Sequence, residues 1–323
     1  MSRKKTRLQI VSRGTASTVG KAGDAGRTAS KSALVTEPPR ISGRWLLGAV
    51  ALTVASAALC AWGALCLLLW QGSWQLLYHP AGAVARTPAS AGLAFDPAGF
   101  AATDAGMPRL AGWWIPAAPG APFSRFTVLY LHGQDGNISD SVDALARLHR
   151  VGVNVLAFDY RGYGQSEFAR PSEAHWRQDA EWALEYLTET RHIDRGAIVL
   201  DGEGLGANLA LEVAAAHPEL AGVVLDSPLE NPMAAIFSDA RARLVPAHLL
   251  VRDRYDILAP ARALRIPSLL LLPPTDHNAW SIAHGPLQDL ALKSRVKWSG
   301  IIDSEDGDFE HMLRRWLANL PTR

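Results

Sequence analysis

The chain has 323 residues, of which 48% are hydrophobic and 20% are charged, and its formal net charge is +1. This composition is typical of a folded protein and excludes a chain that is disordered throughout. Residues 1–44 carry ten Lys or Arg against Asp24 and Glu37, a charge of +8, so the rest of the chain carries −7. A body of negative charge argues against a nucleic-acid partner. The two cysteines, Cys60 and Cys66, lie in one apolar stretch and allow neither a disulfide framework nor a zinc cluster.

An uncharged segment follows this basic leader. It runs from Trp45 to Trp70, and its 26 residues include eight Leu and seven Ala. As a helix it would extend about 39 Å, enough to cross the ~30 Å hydrocarbon core of a bilayer. A cleaved signal peptide is the main alternative, but such peptides have only ~15–30 residues and an apolar part of ~7–15. We therefore expect residues 1–44 to be a disordered cytosolic leader and residues 45–70 an uncleaved transmembrane helix in the lipid bilayer.

The charges on either side of this segment predict its orientation. Ten Lys or Arg precede it, and none occurs in the fifteen residues that follow. The positive-inside rule then places the N-terminus in the cytosol. We expect a single-pass protein of the cell membrane whose body lies on the outer side, periplasmic or extracellular. Residues 71–108 are dense in Ala, Gly and Pro, which predicts a stalk and the entry into the fold.

From residue 109 onward, short apolar runs alternate with amphipathic stretches. The predicted strands are Leu110–Ile115, Thr127–Leu131, Val153–Phe158, Ala197–Leu200, Gly222–Leu225, Ser268–Leu272 and Val296–Ile302. The predicted helices are Ser139–Arg150, Glu173–Thr190, Leu205–His217, Trp280–Lys293 and Phe309–Leu320. Apolar strands separated by helices indicate an α/β fold, with a mostly parallel sheet of about eight strands covered on both faces. We expect one domain over residues 109–323, with a short cap segment at residues 228–266.

Sequence motifs occur at the ends of several predicted strands. The sequence Gly202-Glu203-Gly204-Leu205-Gly206 lies between a predicted strand and a predicted helix, the context of a nucleophile elbow. Upstream lie Leu131-His132-Gly133-Gln134-Asp135-Gly136-Asn137 and Phe158-Asp159-Tyr160-Arg161-Gly162-Tyr163-Gly164-Gln165-Ser166, and Leu77-Tyr78-His79-Pro80 follows the apolar segment. On these motifs, and over about residues 74 to 320, the chain resembles the α/β-hydrolase superfamily. Within it, the chain is similar to membrane-anchored serine hydrolases of the prolyl-oligopeptidase-like and serine-aminopeptidase-like branch. The resemblance implies the α/β-hydrolase fold, an oxyanion loop at the first upstream motif and no cofactor.

The centre of the elbow departs from the family pattern. The family reads Gly-x-Ser-x-Gly, and its serine position falls on Gly204, which has no side chain to attack a carbonyl. The outer glycines, Gly202 and Gly206, are present. Glycine at the strained centre reaches positive φ without the steric cost that serine carries. The elbow is thus predicted to have a vacant nucleophile position.

The other two positions of the serine triad differ from each other. Asp276 matches the acid position, although an aspartate that caps the next helix explains it equally well. The histidine position falls on or near Gly307, so the base position is also vacant. His311 lies four residues further on in the last predicted helix, and we interpret it as a surface histidine. Two empty positions argue against a single engineered Ser→Gly change.

Other chemistry finds little support in the sequence. The ten histidines show no metal-binding spacing, so no metal site is expected. Gly202-x-Gly204-x-x-Ala207 resembles a degenerate dinucleotide fingerprint, but that motif belongs to the first strand–helix turn of its fold. A relocated nucleophile stays open as an alternative, with Ser227 or Glu203 attacking and His311 as base.

The anion-holding part of the elbow is predicted to survive. Backbone N–H groups of Gln134 and Leu205, the second at a helix N-terminus, are expected to form an oxyanion hole. Such a pocket without a nucleophile is a binding site. The first hypothesis is therefore a non-catalytic, membrane-anchored protein that binds a small acyl or carboxylate ligand or a protein partner. The alternative is an active esterase or peptidase with a relocated nucleophile.

Overall fold

The computed structural model describes residues 42–272 and 306–321. They belong to two compact units, one that ends at Val54 and one that begins at Ala55. Four of the predictions fall on residues outside the described ones: the leader up to residue 41, the acid candidate Asp276, the helix Trp280–Lys293 and the strand Val296–Ile302.

The apolar segment forms a single helix, α1 (Gly43–Gly72), which extends two residues beyond the predicted segment at each end. Among the described residues it is the one helix long and apolar enough to cross a membrane. Most of its side chains are exposed, and Leu69 is buried. The length and the uncovered apolar surface fit a membrane span.

The main sheet contains seven strands within the described part of the chain, and a two-stranded pair accompanies it. The strands of the main sheet are β2 (Asp96–Ala102), β3 (Pro108–Ile115), β4 (Thr127–Leu131), β6 (Asn154–Phe158), β7 (Ile198–Glu203), β8 (Gly222–Asp226) and β9 (Ser268–Leu271). Their order is β2-β3-β6-β4-β7-β8-β9. The strands from β6 to β9 pair in parallel, whereas β2 and β3 are antiparallel to their neighbours. The small pair joins β1 (His79–Pro80) to β5 (Asp135–Gly136).

Helices cover both faces of this sheet, which is why the central strands are apolar along their whole length. All five residues of β4 are buried. One hydrophobic cluster lies on the face covered by α3 (Glu173–Glu185) and α4 (Leu205–Ala216). A second lies on the face covered by α2 (Val142–Val151) and α8 (Asp306–Ala318). Continuous burial of this kind is expected for a parallel sheet between two helical layers.

Helix ends follow local signals. The Ser172 hydroxyl accepts a hydrogen bond from the His175 N–H at 3.2 Å and so caps the start of α3. Helix α3 ends at Glu185 and a π-helical turn continues to Thr190, so the predicted helix Glu173–Thr190 is divided. The cap segment holds three short helices, α5 (Ala234–Ser238), α6 (Ala247–Leu250) and α7 (Leu258–Ala263).

Residues 71–108 form part of the folded body rather than a free stalk. Tyr78 and Phe100 are buried in the main cluster. The Tyr78 hydroxyl donates to Asp253 Oδ2 at 2.8 Å, which ties the segment to the cap. Strand β2, which the sequence did not indicate, pairs with β3 over most of its length. This segment is therefore the entry into the fold and supplies its first strands.

Candidate functional site

The elbow joins the end of β7 to the start of α4. Gly204 lies between them with φ +55° and ψ −121°, the positive φ that the glycine spacing predicts. Its N–H donates to the Asp226 carbonyl at 2.8 Å, which connects the turn to β8. Among the described residues, an added Cβ at Gly204 would come within 4 Å of one atom, Gln134 Oε1, at 3.3 Å. A side chain at this position therefore requires a small shift of the flexible Gln134 side chain.

The flanking glycines are required by close contact between backbones. A Cβ on Gly202 would lie 2.3 Å from the Gly206 carbonyl oxygen. A Cβ on Gly206 would lie 2.2 Å from the Leu131 carbonyl oxygen. Real Cβ atoms do not approach backbone this closely, so neither position accepts a larger residue without moving a strand or helix. The elbow is structurally intact around its vacant centre.

One of the two N–H groups predicted for the oxyanion hole is bonded to a side chain of the protein. The Leu205 N–H donates to the side-chain oxygen of Gln134, Oε1, at 3.3 Å. Within residues 42–272 and 306–321, the Gln134 N–H makes no hydrogen bond. Gln134 thus brings its side-chain carbonyl to the start of α4. The carbonyl of a primary amide stands where an acyl oxygen would be held.

Two contacts fix the loop that carries Gln134. Its carbonyl accepts from the His79 N–H at 3.0 Å and from the Tyr163 hydroxyl at 2.9 Å. Beside it, His79 Nδ1 lies 2.7 Å from Asp135 Oδ1, and both side chains are exposed. Sequence reasoning missed this pair because the two residues are 56 positions apart. The parallel pairing of β1 with β5 brings them together.

A cleft of about 270 Å³ opens beside Gln134. Its lining is Leu76, Leu77, His79, Gln134, Leu229, Glu230, Asn231 and Pro232. The volume is slightly below the ~300–1,000 Å³ of pockets that bury drug-sized ligands. The cleft therefore suits a small ligand or the end of a longer one.

The histidine of the oxyanion-loop motif is structural. His132 is buried, and its Nδ1 lies 2.8 Å from the Gly133 carbonyl, which makes Nδ1 the donor. Burial lowers the pKa of His132 to about 4, so the ring is neutral at pH 7. Its Nε2 lies 3.8 Å from Asp159 Oδ1. Burial raises the pKa of Asp159 to about 6, and Oδ1 accepts from the Ile138 N–H at 2.8 Å.

The arginine of the third motif forms a buried ion pair. Arg161 Nε lies 2.6 Å from Asp179 Oδ1, and the Arg161 N–H donates to Asp179 Oδ2 at 2.9 Å. Burial raises the pKa of Asp179 to about 6, and the hydrogen bonds and charge of Arg161 oppose this shift. The pair ties the loop after β6 to α3. This motif therefore stabilises the loop next to Gln134 and supplies no reacting group.

The alternative nucleophiles are engaged elsewhere. Glu203 Oε2 accepts from the Tyr130 hydroxyl, and both residues line a cavity of only about 10 Å³ with Asp201 and Asp226. That volume holds about one water molecule. Ser227 has φ +52°, and its hydroxyl donates to Asp226 Oδ1 at 2.8 Å. Neither Glu203 nor Ser227 lines the cleft at Gln134.

The vacant base position, Gly307, and the alternative base, His311, both lie on α8. This helix begins at Asp306, three residues before its predicted start at Phe309, so Gly307 belongs to its first turn. His311 is exposed one turn further on, as the sequence predicts. Among the described residues, neither position lines the cleft. His311 as a base for a relocated nucleophile therefore stays a prediction.

Known proteins match this chain in sequence and in fold. The family model for serine aminopeptidases of the S33 type matches residues 123–277. The uncharacterized protein Rv2307c of Mycobacterium tuberculosis is 33% identical over 221 residues, which cover 68% of this chain and 74% of that protein. The uncharacterized protein YfhR of Salmonella typhi is 28% identical over 233 residues, or 65% and 76% of the two chains.

Solved structures resemble the fold. The Pyrococcus furiosus esterase Pf2001 superposes with a TM-score of 0.55 at 17% identity, over 76% of this chain and 98% of that one. An α/β hydrolase of Vibrio vulnificus gives a TM-score of 0.50 at 21% identity, over 65% and 75%. At these low identities the solved structures show a shared fold alone. The relative from Mycobacterium tuberculosis and the family model show similarity in sequence. The strand order, the elbow and these matches together assign the chain to the serine aminopeptidase (S33) family of the α/β-hydrolase superfamily.

Proposed function

We propose that this protein is a membrane-anchored member of its family that binds a small acyl or carboxylate ligand and does not turn it over by serine chemistry. One observation carries the proposal. At Gly204 the elbow has its strained geometry but no hydroxyl. An acyl-enzyme needs a nucleophilic atom at this position. The fold's reaction centre is thereby reduced to its binding elements.

The Leu205 N–H is the group that would hold the ligand. It lies at the start of α4, a twelve-residue helix, where the helix dipole favours an oxygen that carries negative charge. In the described structure Gln134 Oε1 accepts from this N–H. A ligand oxygen would take the place of Oε1, and the Gln134 side chain would move toward the cleft that it already lines.

Membrane anchoring is supported by α1 and by the leader before it. The helix has 30 residues, more than the ~20 that a span needs. The leader of +8 and the uncharged residues after Trp70 support a cytosolic N-terminus and a body on the outer side of the cell membrane. The cleft residue Leu76 follows four positions after the helix ends.

The alternative is an active esterase or peptidase with a relocated nucleophile. Ser227 carries that alternative best, because a non-glycine residue at positive φ is a recurrent feature of functional sites. Its hydroxyl, however, donates to a carboxylate that is itself held at the end of β8. We therefore favour binding over turnover.

A fluorophosphonate probe distinguishes the two functions, because it labels only a hydroxyl activated by a base. We expect no adduct on the natural chain and none on Gly204→Ser, since a serine without a base is a poor nucleophile. An active serine hydrolase of the same fold is the positive control. An adduct on the natural chain, mapped by mass spectrometry and lost in Ser227→Ala, would replace the proposal with the alternative.

A further inference from the structure

The cap segment is attached to the second half of α1. The Trp62 indole N–H donates to the Leu244 carbonyl at 3.0 Å. Leu69 is buried in a separate hydrophobic cluster with Ala242, Val245 and Ala247. These contacts lie outside the two clusters that cover the main sheet. The cap therefore packs on the helix along residues 62 to 69, a rise of about 10 Å at 1.5 Å per residue.

The length of α1 defines the depth at which this contact lies. A helix rises 1.5 Å per residue, so about 20 residues cross a hydrocarbon core of ~30 Å. Counted from Trp45, where the uncharged segment begins, 20 residues end at Ala64, within one helical turn of Trp62. Tryptophan is enriched at the boundary between hydrocarbon and headgroups. The cap residue bonded to Trp62 is thus expected at this same boundary.

Large apolar side chains of the body are exposed beside this contact. Leu244 is 66% exposed and Leu249, in the short helix α6, is 83% exposed. Phe168 is 96% exposed and lies two residues before Arg170, which donates to the Trp70 carbonyl at 3.1 Å. We call Leu244, Leu249 and Phe168 the juxtamembrane patch. All three are within a few residues of a side chain or carbonyl that touches the end of α1.

The charge of the cap suits a phospholipid surface. Residues 228–266 contain six Arg against four Asp or Glu, a charge of +2, whereas the chain after residue 44 carries −7 in all. The segment that packs on α1 is thus positively charged, although the chain after residue 44 is acidic as a whole. Arginines near an anionic headgroup layer strengthen binding, whereas facing acidic residues would weaken it.

From this arrangement we infer that the juxtamembrane patch is a second membrane contact, which inserts into the headgroup layer of the bilayer that α1 spans. The inference rests on the membrane anchoring in the proposed function. It adds that the cap lies on the lipid surface instead of standing away from it.

Depth-dependent quenching tests this contact in the full-length chain. Cys60 and Cys66 are first replaced by Ala, and a single cysteine is placed by Leu249→Cys, Phe168→Cys or Met107→Cys. Met107 is the matched control, because it is 66% exposed on the turn between β2 and β3, far in sequence from the cap. Each variant is labelled with the fluorophore NBD and reconstituted into vesicles of phosphatidylcholine and phosphatidylglycerol. Vesicles with and without headgroup-proximal doxyl lipid are compared, and carbonate extraction reports whether the chain spans the bilayer.

We expect a blue-shifted emission and a loss of intensity in doxyl vesicles for labels at 249 and 168, with neither change at 107. If carbonate leaves the chain in the vesicles but the label at 249 emits as in water, the inference is wrong and the anchor stands. A blue shift that doxyl lipid does not quench would mean that protein covers the patch, such as a second copy of this chain, and would also overturn it. Release of the chain by carbonate would remove the anchor and the inference together.

Discussion

Alanine substitutions at Gly202, Gly204 and Gly206 are expected to differ in their effect on stability, because the added Cβ atom has a different amount of space at each position. At Gly202 the new atom would lie 2.3 Å from a carbonyl oxygen and 2.6 Å from the Ala207 Cα. At Gly206 it would lie 2.2 and 2.4 Å from the carbonyl oxygens of Leu131 and His132. These neighbours are backbone of buried elements and cannot move aside. We expect each substitution to cost more than about 4 kcal/mol, the range reserved for disrupted cores.

The same change at Gly204 meets a different environment. The nearest atom is the flexible side-chain oxygen of Gln134, at 3.3 Å, so the main cost is the backbone at φ +55°. A non-glycine residue in such a conformation costs about 1–2 kcal/mol. For a folded body of this size, ~1 kcal/mol lowers the melting temperature by roughly 2–4 °C. Gly204→Ala is therefore expected to fold and to melt only a few degrees below the natural protein.

Thermal unfolding of the purified full-length chain in one detergent measures this order, with yield of folded protein as a second readout. The matched comparison is internal, because the three substitutions add the same methyl group within five residues of each other. The reasoning would be refuted if Gly204→Ala unfolded the protein as thoroughly as Gly202→Ala, or if Gly206→Ala left the melting temperature unchanged.

Three further outcomes are expected. Protease added to intact cells should digest the body and spare the leader, and protection of the body would contradict the orientation. Asp179→Ala should cost about 3–5 kcal/mol in denaturant unfolding because it leaves Arg161 buried without its partner, whereas Glu212→Ala should cost no more than ~1 kcal/mol, because its partner Arg177 is half exposed. The pKa of His132 is lowered from 6.5 to about 4 in the folded state, so below pH 6.5 the unfolded chain binds a proton that the folded chain does not. The free energy of unfolding is therefore expected to be unaffected by this group above pH 6.5 and to fall by about 3 kcal/mol as the pH drops toward 4. His132→Asn should flatten that part of the curve of unfolding free energy against pH, and an unchanged slope would show that the ring is already accessible to protons.

The strands of the central sheet could be predicted because their burial is continuous. Thr127–Leu131 is apolar along its length and flanked by turn residues, and the structure has the same bounds. The elbow was equally visible, since its glycines are required by local backbone contacts that any sequence with this turn must satisfy. In both cases the determining forces act between residues that are close in the chain or repeat with a regular period.

Strand β2 could not be predicted from local sequence. Its sequence, Asp96–Ala102, includes a proline and a glycine and has low strand propensity, so it resembles a linker. It becomes a strand because β3 offers an open edge, and that edge is formed only in the assembled sheet. The sequence predicted a stalk and the entry into the fold over residues 71–108, and in the structure this segment packs in the body and supplies its first strands.

Some features of the candidate site could likewise be predicted from the sequence, and others depended on the tertiary structure. The sequence by itself determined that Gly204 carries no nucleophile, because chemistry depends on the atoms present. Only the tertiary structure decided that Gln134 Oε1 accepts from the Leu205 N–H, and that His79 pairs with Asp135. Likewise, Trp62 meets Leu244 across 182 residues of chain. Contacts over such separations depend on packing of the whole body, which no local pattern of residues records.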